Sequence, residues 1–421
     1  VAHLLMIESW VGASGNLLPP LLRSLGHTYT FVTRKPAHYQ NAHSEELHPV
    51  LRNADSVLVT DTNDVPGMID FLQPYRFDGV ITVCDYYIEA VREVAGARGL
   101  PCPFPEKVRT VRQKHLMRRE LDRAGLSNPK YRLAYSWMEA AEAAEEIGYP
   151  LVLKPVDLAS SAYVRLIRDR RELEEAYRGL EAFPLNFRDQ PRERACLLEE
   201  FMEGEEVSVE SFSFRGETTV LGITDKSVTG APYFIENGHM FPAKLDESIQ
   251  AETVRFVRSV LEAVGFDHGI AHTEVKLTAA GPRIVEINPR TAGNYIVELI
   301  ERVTSVDLLR VFAELSLGLE PTVAPATDGP ASAAAVFLVP PQGGCVSQVD
   351  GVETLAADEH VVRYKVENCA GKSIAAPIDN ACYLGHVIAE DKDGPNARLF
   401  AEQALGRIAL KYAPDPEGAG V

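Results

Sequence analysis

The sequence predicts an α/β fold of more than one domain, α+β in its middle, and three observations carry that reading. Over the first hundred residues short apolar runs alternate with helical stretches, the rhythm of βαβ units laid on a parallel sheet. Two alternating segments, 270–277 and 284–290, flank Ala280-Gly281-Pro282 and read as a hairpin. The length of 421 residues, 46% of them hydrophobic, provides for several cores, roughly two to four domains.

In order along the chain, the apolar runs His3 to Ile7, Tyr29 to Thr33, Ser56 to Thr60 and Gly79 to Val83 read as strands. Asn16 to Leu25, Val65 to Leu72 and Ile88 to Arg98 read as the helices between them. The segment Trp10 to Asn16 follows the first strand and lacks full G-x-G-x-x-G spacing, so a tight turn is favoured over a phosphate loop. Pro101-Cys-Pro-Phe-Pro105 closes this unit, and a basic helical stretch carrying Lys114, Arg118, Arg119 and Arg123 runs to Gly125. A second unit holds an acidic helix around Glu139 to Ile147 and the strands Leu151 to Lys154 and Ala195 to Glu200. Residues 321–330, rich in proline, alanine and threonine, read as a linker or exposed crossover. Beyond them Ala331 to Val339, Val361 to Val366 and Ala381 to Ala389 read as strands, and Asn396 to Leu410 as a closing helix.

Composition removes several functions. The formal charge of −18 repels nucleic-acid backbones and anionic membranes. No run of about 18 apolar residues is present to cross a bilayer, and His3 to Ile7 stops at Glu8, as a strand does and a signal peptide does not. A cytoplasmic protein is the expectation. The six cysteines are scattered without a C-x-x-C pair, which argues against a zinc ribbon or a disulfide framework.

The chemistry concentrates in the hairpin. Residues two apart on a strand share a face, so Glu286 and Asn288 point together, as do His272, Glu274 and Lys276 on the preceding strand. Val275, Leu277, Ile284, Val285 and Ile287 are left for packing. Hard oxygen ligands of this kind suit Mg²⁺ shared with phosphates. Lys154 ends an apolar strand before Pro155, and Lys114 lies on a helix forty residues earlier; two such cations can clamp a polyphosphate. Residues 197–210 join an apolar strand, an acidic hinge with Gly204 and a second alternating strand, and a hinge of this kind can offer backbone groups to an adenine edge.

This order of parts resembles the ATP-grasp superfamily of carboxylate–amine ligases: helix lysine, strand lysine, small-residue loop, E-E-F hinge, G-x-E, then E followed by E-x-N-P-R. Within it the chain is most similar to L-amino-acid ligases and carnosine-synthase-like dipeptide ligases, which share the H-T-E-x-K strand and a segment like Pro232 to Pro242. The resemblance implies an N-terminal Rossmann-like domain over residues 1–105 and a two-lobed nucleotide-binding core over 106–328, with a mobile lid at about 149–205. It implies a small β-rich C-terminal domain over 329–421. ATP and Mg²⁺, two ions with Mn²⁺ as an alternative, are the implied cofactors. A homodimer is the implied assembly.

Residue by residue, the resemblance makes Lys114 and Lys154 partners of the nucleotide phosphates and Glu199 an acceptor for the adenine amino group. Glu200, Phe201 and Met202 would line the base, and Glu206, with Glu205 as a rival, would meet the ribose. Glu274, Glu286 and Asn288 would hold magnesium, and Arg290 would face the γ-phosphoryl group and the carboxylate being activated, with His272 helping to stabilise the oxyanion. Glu236 would pair with the α-ammonium of the first amino acid and His239 would sit near its carboxyl. Tyr233, Phe234, Met240 and Phe241 would wall that site or pack in the core, and Lys226 and Lys244 flank it. The loop 157–164 departs from the pattern: it has no glycine and relies on Ser160 and Ser161 over the phosphates, which puts turnover in doubt.

The expected activity is therefore an ATP-dependent ligase joining an amino acid or small acid to an amine, most simply a second amino acid, with release of ADP and phosphate. The alternatives are a purine-type or biotin-carboxylase-like enzyme that activates bicarbonate or formate, and a nucleotide-binding module without turnover.

Overall fold

The structure, a computed structural model, describes residues 1–12, 14–40, 46–158, 162–229, 233–323 and 328–414. Ser160 and Ser161, and Pro232 of the substrate segment, lie outside the described residues.

The strands His3–Ile7, Thr28–Thr33, Ser56–Val59 and Gly79–Ile81 form one parallel sheet, ordered third, second, first, fourth. Leu4, Leu5, Met6 and Ile7 are all buried, as a strand covered on both faces requires. The helices Ser14–Ser24 and Val65–Phe71 run between strands, and Ile88–Arg98 follows the last of them. The turn after the first strand is as tight as expected: a Cβ on Gly15 would stand 1.9 Å from the Trp10 carbonyl oxygen, so only glycine fits.

A second sheet is antiparallel, with Tyr131–Ala134, Cys196–Glu200, Leu151–Pro155 and Arg165–Ile167 side by side in that order. The helices Trp137–Ile147 and Arg170–Glu181 cover one face and share a core of Ala140, Ala144, Leu151, Leu153, Leu173 and Leu198. Each helix opens with a side-chain N-cap. Ser136 accepts from the Glu139 amide and Asp169 from the Glu172 amide, while Glu139 and Glu172 reach back to the Tyr135 and Arg168 amides.

The largest sheet has eight antiparallel strands: Gly281–Asn288, Gly269–Thr278, Glu205–Phe214, Glu217–Val228, Glu236–Phe241, Ser332–Phe337, Gly385–Asp391 and Val361–Val366, in that order. It runs unbroken across residue 328, so the C-terminal strands extend the core sheet. The helix Glu247–Ala263 buries Val257, Val260 and Leu261 against Val207, Val209, Val275 and Ile284.

Two expected C-terminal elements differ. The strand expected at Ala381 to Ala389 is Gly385–Asp391, preceded by a 3₁₀ turn at Asn380–Cys382. The closing helix ends at Leu405, and Ala409–Tyr412 pairs instead with Gly344–Asp350. Gly406 follows the last helical residue, and the sheet edge then supplies backbone partners that a further helical turn would forgo. Among the described residues no helix is long and apolar enough to cross a membrane.

Candidate active site

The two hairpin strands pair antiparallel, with His272 opposite Asn288 and Glu274 opposite Glu286, so both carboxylates stand on one face. The register then slips, and Val275 pairs with Ile284. Val285 is the extra residue of a bulge, and a bulge re-aims side chains. Val285, expected in the packing set, instead lines a cavity of about 490 Å³ into which both glutamates open.

A half-buried lysine, Lys114, and a buried one, Lys226, neutralise these carboxylates. Lys114 Nζ lies 2.6 Å from Glu286 Oε2. Lys226 Nζ lies 2.7 Å from Glu274, 3.1 Å from Glu236 and 3.5 Å from Glu206. Burial by itself would drive the Lys226 ammonium to deprotonate, but the three glutamates outweigh it and hold its pKa well above the usual lysine range. Burial likewise opposes ionisation of Glu274 and Glu286, yet Lys226 and Lys114 hold their carboxyls below the ordinary value. Among the described residues no three acidic, histidine or cysteine side chains converge as a ready-made ion cage. The oxygen donors that do face one another are Glu274, Glu286 and Asn288, whose Nδ2 donates to Glu286 Oε1 at 3.0 Å. Two ionised carboxylates and an amide oxygen fit a small hard cation.

On the wall formed by the second sheet, Lys154 Nζ lies 2.7 Å from Glu199 Oε2, and Arg118 Nε donates to Glu199 Oε1 at 2.6 Å. Burial pushes the Glu199 carboxyl up, but Arg118 and Lys154 pull it down further, to about 2. Both Glu199 oxygens thus engage protein cations, and Glu200, Phe201 and Met202 continue the wall. Glu206 also lines the cavity, 3.2 Å from Lys276, whereas Glu205 is exposed and lies outside the lining.

Arg118 carries the largest side chain among the fully buried residues. Its guanidinium also donates to the carbonyls of Ile284 at 2.7 Å and Val285 at 3.1 Å, tying the basic helix Lys114–Arg123 to both the bulge and the hinge. Sequence reasoning passed over it as one of four basic residues. The available signal was its spacing of one helical turn from Lys114, which places both on one face. Arg118→Met, which leaves the Glu199 charge buried with one partner, is expected to lower stability by about 3 kcal/mol, read from urea unfolding; a loss below about 0.5 kcal/mol would contradict the burial argument.

At the far end, Arg290 Nε donates to Asp85 Oδ1 at 2.6 Å, and the Trp10 indole donates to Asp85 Oδ2 at 2.9 Å. Glu236 lines the cavity, takes a hydrogen bond from Asn294 and pairs with Lys226. His239 is fully buried behind it, 3.4 Å from Glu236 and outside the cavity lining. His272 is likewise behind Glu274. Its Nδ1 lies 2.8 Å from Glu210 and its Nε2 3.3 Å from Glu274; burial lowers its pKa, but those two carboxylates raise it to about 9. Of the expected apolar wall only Phe234 reaches the cavity, since Met240 and Phe241 lie in separate cores and Tyr233 sits under Arg165. Lys244 is exposed, while Lys226 is central.

Residues 147–298 match the model of the ATP-grasp domain, and residues 336–413 that of the L-amino acid ligase C-terminal domain 2. Human carnosine synthase 1 is 28% identical over 261 residues, 59% of this chain and 32% of that protein. Alanine–anticapsin ligase of Bacillus subtilis is 26% identical over 268 residues, 60% of this chain and 56% of that one. The chain therefore spans about a third of the first and just over half of the second. The crystal structure of an L-amino acid ligase from Bacillus licheniformis superposes with a TM-score of 0.80 at 21% identity, covering 98% of this chain and 99% of that one, a likeness of fold.

Proposed function

We propose, from the match of residues 147–298 to the ATP-grasp domain and of residues 336–413 to the L-amino acid ligase C-terminal domain 2, that the chain is an ADP-forming ligase that condenses an amino acid or similar small acid with an amine, a second amino acid above all. The observation that carries the reading is that one cavity gathers the Lys154 wall, the Glu274 and Glu286 pair, and Glu236. A nucleotide, an ion and an amino acid can thus meet there.

A carboxylate resists attack by an amine because oxide is a poor leaving group. The proposed route removes that obstacle: a carboxylate oxygen of the acid attacks the γ-phosphorus of ATP, ADP leaves, and an acyl phosphate forms. Lys114 and Lys154, which line the cavity, would neutralise the phosphates, and Arg290, held by Asp85 of the cavity wall, would supply a fixed cation for charge spread over the transferring oxygens. Glu274, Glu286 and Asn288 would hold Mg²⁺, as two ions, whose contribution is to screen the polyphosphate charge. Glu236 would take the α-ammonium of the acid substrate, with His239 behind it. The amine then attacks the acyl carbon, the C–O bond to phosphate breaks, and phosphate leaves with the amide formed. Backbone groups of Glu200 to Met202 would meet the adenine edge and Glu206 the ribose; the proposed units are residues 1–105, 106–328 and 329–421, the last two sharing one sheet.

The test is ADP release with amino acids offered singly and in pairs. Release that requires two amino acids, with one amide formed per ADP, is the expected result. Release driven by bicarbonate, or nucleotide binding without release, would overturn it.

A further inference from the structure

The loop between the helix Arg170–Glu181 and the strand Cys196–Glu200 leaves its own sheet and docks on the segments that follow the strands of the N-terminal sheet. Arg188, at its tip, is buried, donates from Nη2 to the Ser9 carbonyl at 2.5 Å, and lies over the rings of Trp10 at 5.4 Å and Tyr39 at 5.8 Å. A guanidinium so enclosed needs a countercharge. The nearby carboxylate is Glu8, buried and in the left-handed region at φ 51°, and linked to the same pocket by the Tyr39 hydroxyl at 2.6 Å. The loop is built to present this arginine: the Asn186 side chain accepts from the amides of Arg188 and Gln190, and Asp189 turns at φ 57°. Asp189 also pairs with Lys35 at 2.7 Å and with Arg34, and Asn63 Nδ2 donates to the Arg188 carbonyl at 3.0 Å.

The pocket that receives Arg188 leads to the site. Trp10, under the guanidinium, donates to Asp85, and Asp85 holds Arg290. Asn186, Gln190 and Asn63 of the docked loop and its seat line the same cavity as Glu236 and Glu286. We propose that the loop 185–191 is a latch and Arg188 a positioning residue, which close the second sheet over the cavity and fix Arg290 through Trp10 and Asp85. The role of Arg290 rests on the ligase reading; the latch itself does not. With the latch open, water reaches the acyl phosphate: its oxygen bonds to the acyl carbon, the C–O bond to phosphate breaks, and acid, phosphate and protons are released without an amide.

The test uses the full chain with Arg188→Ala, Arg188→Lys and Trp10→Phe. In Arg188→Ala, hydrogen exchange of the amides of residues 185–191 is expected to quicken at least about tenfold while the strand His3–Ile7 keeps its protection; unchanged protection in the loop overturns the latch. Should Arg188→Ala not fold, Asp189→Asn serves in its place, since it tolerates the left-handed backbone and removes the charge that Arg34 and Lys35 hold. The second readout is ADP released per amide formed, expected to rise from one to about three or more in Arg188→Ala, with Arg188→Lys between. Trp10→Phe keeps a ring under the guanidinium and loses the bond to Asp85, so it should raise that ratio without quickening the loop. A ratio of one in both Arg188→Ala and Trp10→Phe overturns the positioning role. Exchange needs no turnover, so failure of the ligase reading shows separately, as absence of ADP with every amino-acid pair.

Discussion

Glu286→Ala is expected to reduce ADP formation at least about a thousandfold, on the order of 4 kcal/mol in the barrier, in a chain that remains folded. Glu286 stands directly opposite Glu274 and accepts from Asn288, so its removal breaks the candidate oxygen set at its centre. It also frees Lys114, its 2.6 Å partner, and lessens repulsion with Glu274. The fold should tolerate this because the side chain faces a cavity and the hairpin is held from behind by Ile284 and Val275. Single-turnover ADP formation and thermal unfolding check the two halves of the expectation; a folded variant with normal turnover would remove the metal assignment.

Lys226→Met should act on stability first. It leaves Glu274, Glu236 and Glu206 facing one another without their shared ammonium, and breaking a buried ion pair costs about 3–5 kcal/mol. Millimolar Mg²⁺ should restore roughly 2 kcal/mol of the loss, more than it adds to the wild type, because in the wild type Lys226 already neutralises Glu274. Urea unfolding in chelator and in MgCl₂ reads both quantities. A loss indifferent to Mg²⁺ would show that Glu274 does not belong to an ion site.

How much of this was legible beforehand differs from residue to residue. The hairpin and its glutamates were readable because strand alternation is local: two positions apart is the same face, whatever surrounds the strand. The bulge at Val285 was not, because a slip of register depends on how the partner strand pairs, and Val285 looked like any other packing residue. The N-terminal alternation was readable for the same local reason, while the end of the last helix was decided by a strand edge sixty residues away in the chain. Arg118 escaped for another reason, and Lys226 was read only as flanking the substrate segment. Lysine and arginine are commonly exposed, and only the convergence of separate elements shows that these two are buried among carboxylates.

By itself the sequence determined the element types, the succession of lysines, hinge and E-x-N-P-R strand, and with them the resemblance to the ATP-grasp superfamily, since these rest on periodicity and order within short stretches. Only the tertiary structure decided which charges neutralise which. Glu199 is held between Arg118 and Lys154, Glu236 and Glu274 share Lys226, Arg290 is held by Asp85, and Arg188 crosses to Trp10. Those pairings join residues as far as 205 positions apart, and a buried charge takes whichever partner folding brings within a few ångströms.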